Sequence, residues 1–118
     1  MDQQRLQRLM SEQKYMVLAV TLEDGTPWAV PVRVLGHSKN EFIWDSRLDT
    51  VHSIAITERP SVAVTMFYSD ENEQTGLYMN GTVRLVEETR PGLGRYVFAA
   101  KDCWLNDETF VKRPVNLM

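Results

Sequence analysis

The chain has 118 residues, 43% hydrophobic and 25% charged, a composition typical of a folded globular protein and unlike that of a disordered one. At this length we expect one domain spanning residues 1–118. A formal net charge of -3 excludes the basic field that nucleic-acid binding requires, and a single cysteine excludes an internal disulfide. The longest apolar run, residues 15–20, is too short to cross a bilayer, and the N-terminus lacks an apolar signal segment, so we expect a cytoplasmic protein without a membrane partner.

The first half of the chain predicts one helix followed by a β-hairpin. Apolar residues at helical spacing predict a helix over residues 2–13. Asp24-Gly25 between two apolar runs is a strong hairpin signal. Pro31 lies inside the second run and cannot donate to the sheet, which predicts an edge strand or a bulge there. The predicted elements that follow the helix are strands at 15–22, 28–35 and 41–45, with turns at 23–26 and 36–40.

The second half predicts a helix, two strands and a tail of mixed character. Helical periodicity returns at residues 47–58, and Gly81 inside a strand at 77–87 predicts a bulge or a close backbone approach. Strand 61–68, loop 69–76, helix 93–100 and a strand or extended arm at 109–117 complete the prediction, with no sixth strand located beyond Glu88. Hairpin-linked strands with one inserted helix favour a mainly β fold, a small antiparallel barrel with flanking helices.

Common catalytic and metal-binding motifs are missing from the sequence. His37 lies in a predicted turn, where an exposed surface residue is expected. Cys103 has no cationic neighbour in the sequence and is interpreted as an inert, buried thiol. The acidic run 70–73 lacks the alternation of a calcium loop and is interpreted as solvated. The sequence therefore identifies no catalytic residue and no metal site.

One segment, residues 42–53, combines a strand end, a polar loop and a helix start. Free backbone N–H groups at a helix start attract anions, and hydroxyl or cationic side chains surround this one. They are Ser46, Arg47, Thr50, His52 and Ser53. The alternative is simple helix capping by Asp49 or Ser46. Arg33, in an otherwise apolar strand, either faces solvent or supplies a fixed charge to a phosphate.

Residues 10–86 resemble the pyridoxamine 5'-phosphate oxidase-like family of FMN-binding split β-barrels. The resemblance rests on motifs in a fixed order, each weak by itself. They are Asp24-Gly25-Thr26-Pro27 with Pro31-Val32, then Trp44-Asp45-Ser46, Thr50-Val51-His52, Glu58-Arg59-Pro60-Ser61-Val62 and Gly81-Thr82-Val83. The family implies a six-stranded antiparallel split barrel that binds FMN between the two subunits of a homodimer.

The resemblance also implies which residues of this chain face the cofactor. Ser46 matches the family's strand-end hydroxyl, Thr50 its serine and His52 its lysine, and Val51 stands where the family has an arginine. Arg47 or Arg33 would then replace the missing charge. The implied FMN-binding residues are Val30, Pro31, Val32, Arg33, Asp45, Ser46, Thr50, Val51 and His52. Trp104 and Phe110 are interpreted as core or interface aromatics.

Three functions follow as hypotheses. The first is a small homodimeric FMN-dependent oxidoreductase or electron carrier with an unidentified small-molecule or electron-transfer partner. The second is a flavin-free split barrel that binds another anionic small molecule or haem. The third is a purely structural or protein-interaction domain. Pyridoxamine phosphate oxidase activity itself is not expected, because such enzymes carry additional C-terminal substrate residues.

Overall fold

The computed structural model describes residues 2–109 and 112–117, which form two helices and eight strands. The helices are α1 (Asp2–Glu12) and α2 (Val51–Glu58). The strands are β1 (Tyr15–Thr21), β2 (Pro27–Arg33), β3 (Gly36–Ser38), β4 (Glu41–Arg47), β5 (Ser61–Ser69), β6 (Gln74–Arg90), β7 (Leu93–Asn106) and β8 (Arg113–Pro114). No helix in these described ranges is long and apolar enough to cross a membrane.

All strands belong to one antiparallel sheet that curls without closing. Its strand order is β2-β1-β5-β6-β7-β4-β3, and β8 adds to β7. The two ends approach each other where the chain leaves β2, since the Leu35 N–H donates to the Ile43 carbonyl at 2.8 Å. This mainly β arrangement with flanking helices confirms the expected split-barrel fold, with eight strands in place of six.

The core lies inside the curled sheet and is built by alternation along each strand. On β1, Met16, Leu18 and Val20 point inward and are almost fully buried, and Val62, Val64 and Met66 do the same on β5. Trp44 of β4 stacks on Tyr96 of β7, with ring centroids 5.5 Å apart. The helices cover the openings with a few apolar side chains each. These are Leu6 and Leu9 of α1, and Ala55 and Ile56 of α2.

The predicted helix at 93–100 is wrong, because these residues form the first half of β7. This part of β7 pairs with β6 on one side and β4 on the other, and Tyr96, Val97 and Phe98 are all buried. A strand buried on both faces has a continuous apolar sequence, which by periodicity alone cannot be told from a buried helix. The strand that the sequence did not locate beyond Glu88 is therefore β7.

Other boundaries differ by a few residues. Helix α2 begins at Val51 and not at residue 47, residues 36–38 form β3 where only a turn was predicted, and the loop at 69–76 shortens because β5 and β6 are longer. The edge position of Pro31 is confirmed, since β2 ends the sheet. The prediction of a bulge or a close backbone approach at Gly81 is also confirmed, since the register skips Lys101 of β7 there and the Gly81 backbone lies against Ala99 and Ala100. Within the predicted arm, Arg113–Pro114 is a short strand, and residues 110–111 lie outside the described part.

Candidate functional site

The strand-to-helix junction between β4 and α2 is organised by Thr50. This residue has extended backbone angles (φ -75°, ψ 158°), and its Oγ1 accepts the Ser53 N–H at 3.2 Å, so Thr50 is the N-cap of α2. The same oxygen lies 3.1 Å from the Arg47 carbonyl oxygen and 2.7 Å from Ser53 Oγ. The alternative to an anion site was simple capping by Asp49 or Ser46, and the structure assigns the cap to Thr50.

Three of the predicted site residues come together at this junction. His52 Nε2 lies 3.0 Å from Ser46 Oγ and 3.4 Å from Thr50 Oγ1. The imidazole is 8% exposed, and burial lowers the pKa of His52 below the usual 6.5. We call Ser46, Thr50 and His52 the junction cluster. At neutral pH it is an uncharged group of hydroxyl and imidazole donors beside the helix start.

The charged side chains around the junction cluster are already paired. The Arg47 guanidinium contacts Asp49 at 3.0 and 3.1 Å, an exposed pair that lowers the pKa of Asp49. Asp45 accepts two hydrogen bonds from Arg95 of β7, at 2.9 and 3.1 Å. Sequence reasoning missed Arg95, because its strand was predicted to be a helix. These two ion pairs contain two positive and two negative side chains, so together they add no net charge beside the junction cluster.

The predicted site residues on β2 face two directions, and none of them hydrogen-bonds to the junction cluster through a described side chain. Val32 is buried and Val30 half-buried, so both belong to the inward face, and Pro31 and Arg33 are exposed. Arg33 makes no hydrogen bond or ion pair with any described residue. Alternation along β2 thus directs these side chains to opposite faces of the sheet, and the outward-facing Arg33 is the cation among them.

The turn that leads into α2 is held by the tip of the β6–β7 hairpin. The Leu48 N–H donates to the Gly92 carbonyl at 3.0 Å. At Gly94, a Cβ would lie 2.7 Å from Leu48 Cδ2 and 2.8 Å from Leu85 Cδ1, so the glycine lets these side chains pack over the backbone. These supporting contacts were also missed, because they depend on β7 being a strand.

The remaining candidates have no visible role in this site. His37 is exposed, as expected, and Cys103 is half-buried with a thiol pKa raised by burial. The acidic run is more than a solvated loop, because Asp70 and Glu73 both bind Arg8 of α1. Trp104 is half-buried opposite Tyr78, and Phe110 lies outside the described residues. The described part of the chain holds no group of three or more His, Cys, Asp or Glu side chains placed to bind a metal ion.

The donor set of the junction cluster fits a phosphoryl group. Two hydroxyls and an imidazole lie beside the first turn of α2, whose leading N–H groups have no partner within the helix. Charge-assisted hydrogen bonds to phosphate oxygens are the strongest contacts that such groups make. The first helical residue, Val51, is 47% exposed and leaves the approach to the helix start open.

Comparison with known proteins agrees with this geometry. The sequence profile of the pyridoxamine 5'-phosphate oxidase family matches residues 3–108, nearly the whole chain. The chain belongs to this family. No curated protein sequence resembles this family member closely enough to count as a match.

Solved structures support the fold at low sequence identity. A Clostridium acetobutylicum protein related to general stress protein 26 of B. subtilis superposes with a TM-score of 0.78 at 14% identity, covering 95% of this chain and 92% of that one. An FMN-binding, pyridoxamine 5'-phosphate oxidase-related protein from Nostoc punctiforme gives 0.72 at 12% identity, covering 88% and 80%. A haem-binding protein from Mycobacterium smegmatis gives 0.78 at 11% identity, covering 92% of this chain and 55% of that one. The family thus has structural neighbours named for either cofactor.

Proposed function

We propose that this family member binds FMN at the junction cluster and acts as a small, homodimeric FMN-dependent oxidoreductase or electron carrier. The observation that carries the proposal is the convergence of Ser46, Thr50 and His52 within 3.4 Å at the start of α2. These are the positions that match the phosphate-binding pattern of the family. The neighbour from Nostoc punctiforme, named as FMN-binding, adds support.

In the proposed complex the protein holds the FMN phosphate mainly by hydrogen bonds and to a smaller extent by charge. The hydroxyls of Ser46 and Thr50 and the Nε2 of His52 would contact the phosphate together with the N–H groups of the first turn of α2. Arg47 can turn from Asp49 to the phosphate, because an exposed ion pair is weak. When bound, FMN would supply the one- or two-electron redox chemistry, while the chain binds and orients it.

The proposed homodimer is supported by an apolar surface on the outside of the sheet. Register places Val17 opposite Thr65 on β5, and Thr65 opposite Tyr78 on β6, all on this side. Phe67 and Tyr15 extend the same surface and are 60% and 50% exposed. We call it the outer apolar face, formed by Tyr15, Val17, Ala19, Ala63, Phe67 and Tyr78. Contiguous exposed apolar surface of this kind favours association with a second copy.

The decisive experiment is the visible absorption spectrum of freshly purified protein, followed by FMN titration of any colourless fraction. We expect a flavin spectrum or saturable quenching of FMN fluorescence. Riboflavin, which lacks the phosphate, should bind more weakly. Ser46→Ala should weaken FMN binding, while Ser38→Ala on β3, an exposed serine outside the junction cluster, should not. A protein that neither carries flavin nor quenches FMN would contradict the proposal.

A second candidate, a flavin-free module for another anion or for haem, is favoured by the charge balance of the site. Arg47 and Arg95 are paired with carboxylates, and burial keeps His52 neutral, so a dianion finds donors but no permanently free cation in the junction cluster. Parallel titrations with inorganic phosphate and hemin separate the two candidates. Binding of hemin with no response to FMN would favour the second.

A further inference from the structure

A second concavity lies at the opposite end of β4 from the junction cluster. It is a groove of about 350 Å³ between α1, the β3–β4 turn and the C-terminal segment. Leu6 and Met10 of α1 and Leu117 form its apolar walls, and Lys39 and His37 stand at its polar end. Asn40 and Ser46 are six positions apart along β4 and its flank, roughly 20 Å at the rise of a β-strand. The groove is therefore distinct from the proposed FMN site.

The polar end of the groove has positive charge, contributed by Lys39. None of the described residues that line the groove is acidic, although the whole chain carries 16 acidic against 13 basic residues. Lys39 is exposed and makes no ion pair with any residue between positions 2 and 109 or 112 and 117. The neighbouring carboxylate, Glu41, is bound to Arg84 at 3.2 Å. An anion placed in the groove thus meets a cation that no described side chain neutralises.

The backbone fixes where this cation stands. Lys39 has a φ of +55°, a left-handed conformation that a lysine rarely adopts. His37, two residues earlier, packs its ring near Phe42 at a centroid distance of 6.0 Å. Both polar side chains therefore start from a constrained turn, with the apolar wall of α1 facing them across the groove.

We infer that this groove binds an amphipathic monocarboxylate, an unbranched acyl chain of roughly ten carbons with its carboxylate on Lys39. Small-molecule sites are mostly apolar concavities with a few placed polar groups, and volumes begin at roughly 300 Å³. The apolar wall supplies affinity for the chain, and Lys39 supplies the selection for a negative head group. Gln7 and Ser11 complete the lining beside the apolar side chains of Leu6, Met10 and Leu117. The Lys39 cation, which has no ion pair with a described residue, distinguishes an acid from a neutral lipid or an apolar peptide.

The test uses decanoate as the probe and the two histidines of the chain as reporters. One histidine, His37, lines the groove and the other, His52, lies in the junction cluster, so proton NMR resolves the two sites. Decanoate should shift the ring resonances of His37 in a saturable manner and leave those of His52 unchanged. Decanol, which has the same chain without the charge, should bind about tenfold more weakly.

A matched pair of variants tests the role of the lysine. Lys39→Asn removes the charge and keeps a residue that tolerates a positive φ, so the turn is preserved, and decanoate affinity should fall about tenfold. Lys14→Asn, the same substitution outside the groove, should leave the affinity for decanoate unchanged. Equal binding of decanol and decanoate, an unaffected Lys39→Asn variant, or no shift of His37 at millimolar decanoate would each overturn the inference. In the same NMR experiment, FMN binding is detected by a shift of the His52 ring resonances. A failure of the proposed FMN binding is therefore distinguished from a failure of decanoate binding at His37.

Discussion

At the scale of single residues, Val51 tests where the phosphate lies. It is the first residue of α2, 47% exposed, and stands where the family pattern has an arginine. Val51→Arg should raise FMN affinity about tenfold or more, because a charge-assisted hydrogen bond to phosphate stabilises the complex by roughly 1.5–3 kcal/mol. Fluorescence titration measures this. Ile54→Arg, also exposed but one turn further along the helix, is the control. Equal affinities of Val51→Arg and the parent chain would place the phosphate elsewhere.

A second prediction at this scale concerns the protonation of His52. Burial lowers its pKa in the folded chain below 6.5, so the unfolded chain takes up the proton more readily. The free energy of unfolding should therefore be independent of this group well above pH 6.5 and should fall as the pH drops below that value. Urea unfolding at pH 7.5 and 5.5 measures the effect. His52→Gln should reduce this pH dependence, and a His52→Gln variant that keeps the slope of the parent chain would contradict the assignment.

At the scale of elements, the register shift between β6 and β7 depends on one glycine of β6. Asn80 pairs with Asp102 and Gly81 with Ala100, so the extra residue, Lys101, lies on β7. A Cβ at Gly81 would lie 2.9 Å from the Ala99 carbonyl carbon and 3.0 Å from Ala100 Cα, both backbone atoms that cannot move aside easily. Gly81→Ala should lower the free energy of unfolding by roughly 1–3 kcal/mol, the usual cost of overpacking. The control is Gly36→Ala, where a Cβ meets no atom within 4 Å. Urea unfolding curves that coincide for the two variants would contradict this prediction, because β6 and β7 would then accommodate the added Cβ without loss of stability.

The elements that the sequence predicted are those with local signals. Asp24-Gly25 specified the first hairpin, and Gly25 indeed has a positive φ of 88°. The apolar run of β7 gave no such signal, because both of its faces are covered and its alternation is lost. The same failure hid Arg95 and Gly94, which support the candidate site from β7. Ser46, Thr50 and His52 were found from the strand, polar loop and helix start of residues 42–53, and the family resemblance then matched the same positions. The burial that keeps His52 neutral arises only from tertiary packing.

At the scale of the whole molecule, different surfaces carry the different proposals. The junction cluster lies at one end of β4 and the acyl-chain groove at the other. The outer apolar face lies on the solvent side of β1, β5 and β6 and includes no residue of the junction cluster or of the groove. Trp104 of β7 pairs with Tyr78 of β6 at the margin of this face, and its interpretation as a core or interface aromatic stays a prediction. The acyl-chain groove and the outer apolar face can therefore be altered by separate substitutions.

The dimer is tested at its most exposed aromatic residue. Phe67 has 60% of its surface in solvent in the single chain, and a second copy covering the outer apolar face would bury it. Phe67→Lys would place a charge against apolar surface in that interface, so the variant should sediment as a monomer at micromolar concentrations where the parent chain is a dimer. The variant should also bind FMN more weakly if the cofactor lies between the two subunits. Val86→Lys, at an apolar residue 51% exposed on the β6–β7 hairpin, should leave the dimer intact. A parent chain that is itself monomeric at these concentrations would remove the basis for a shared cleft.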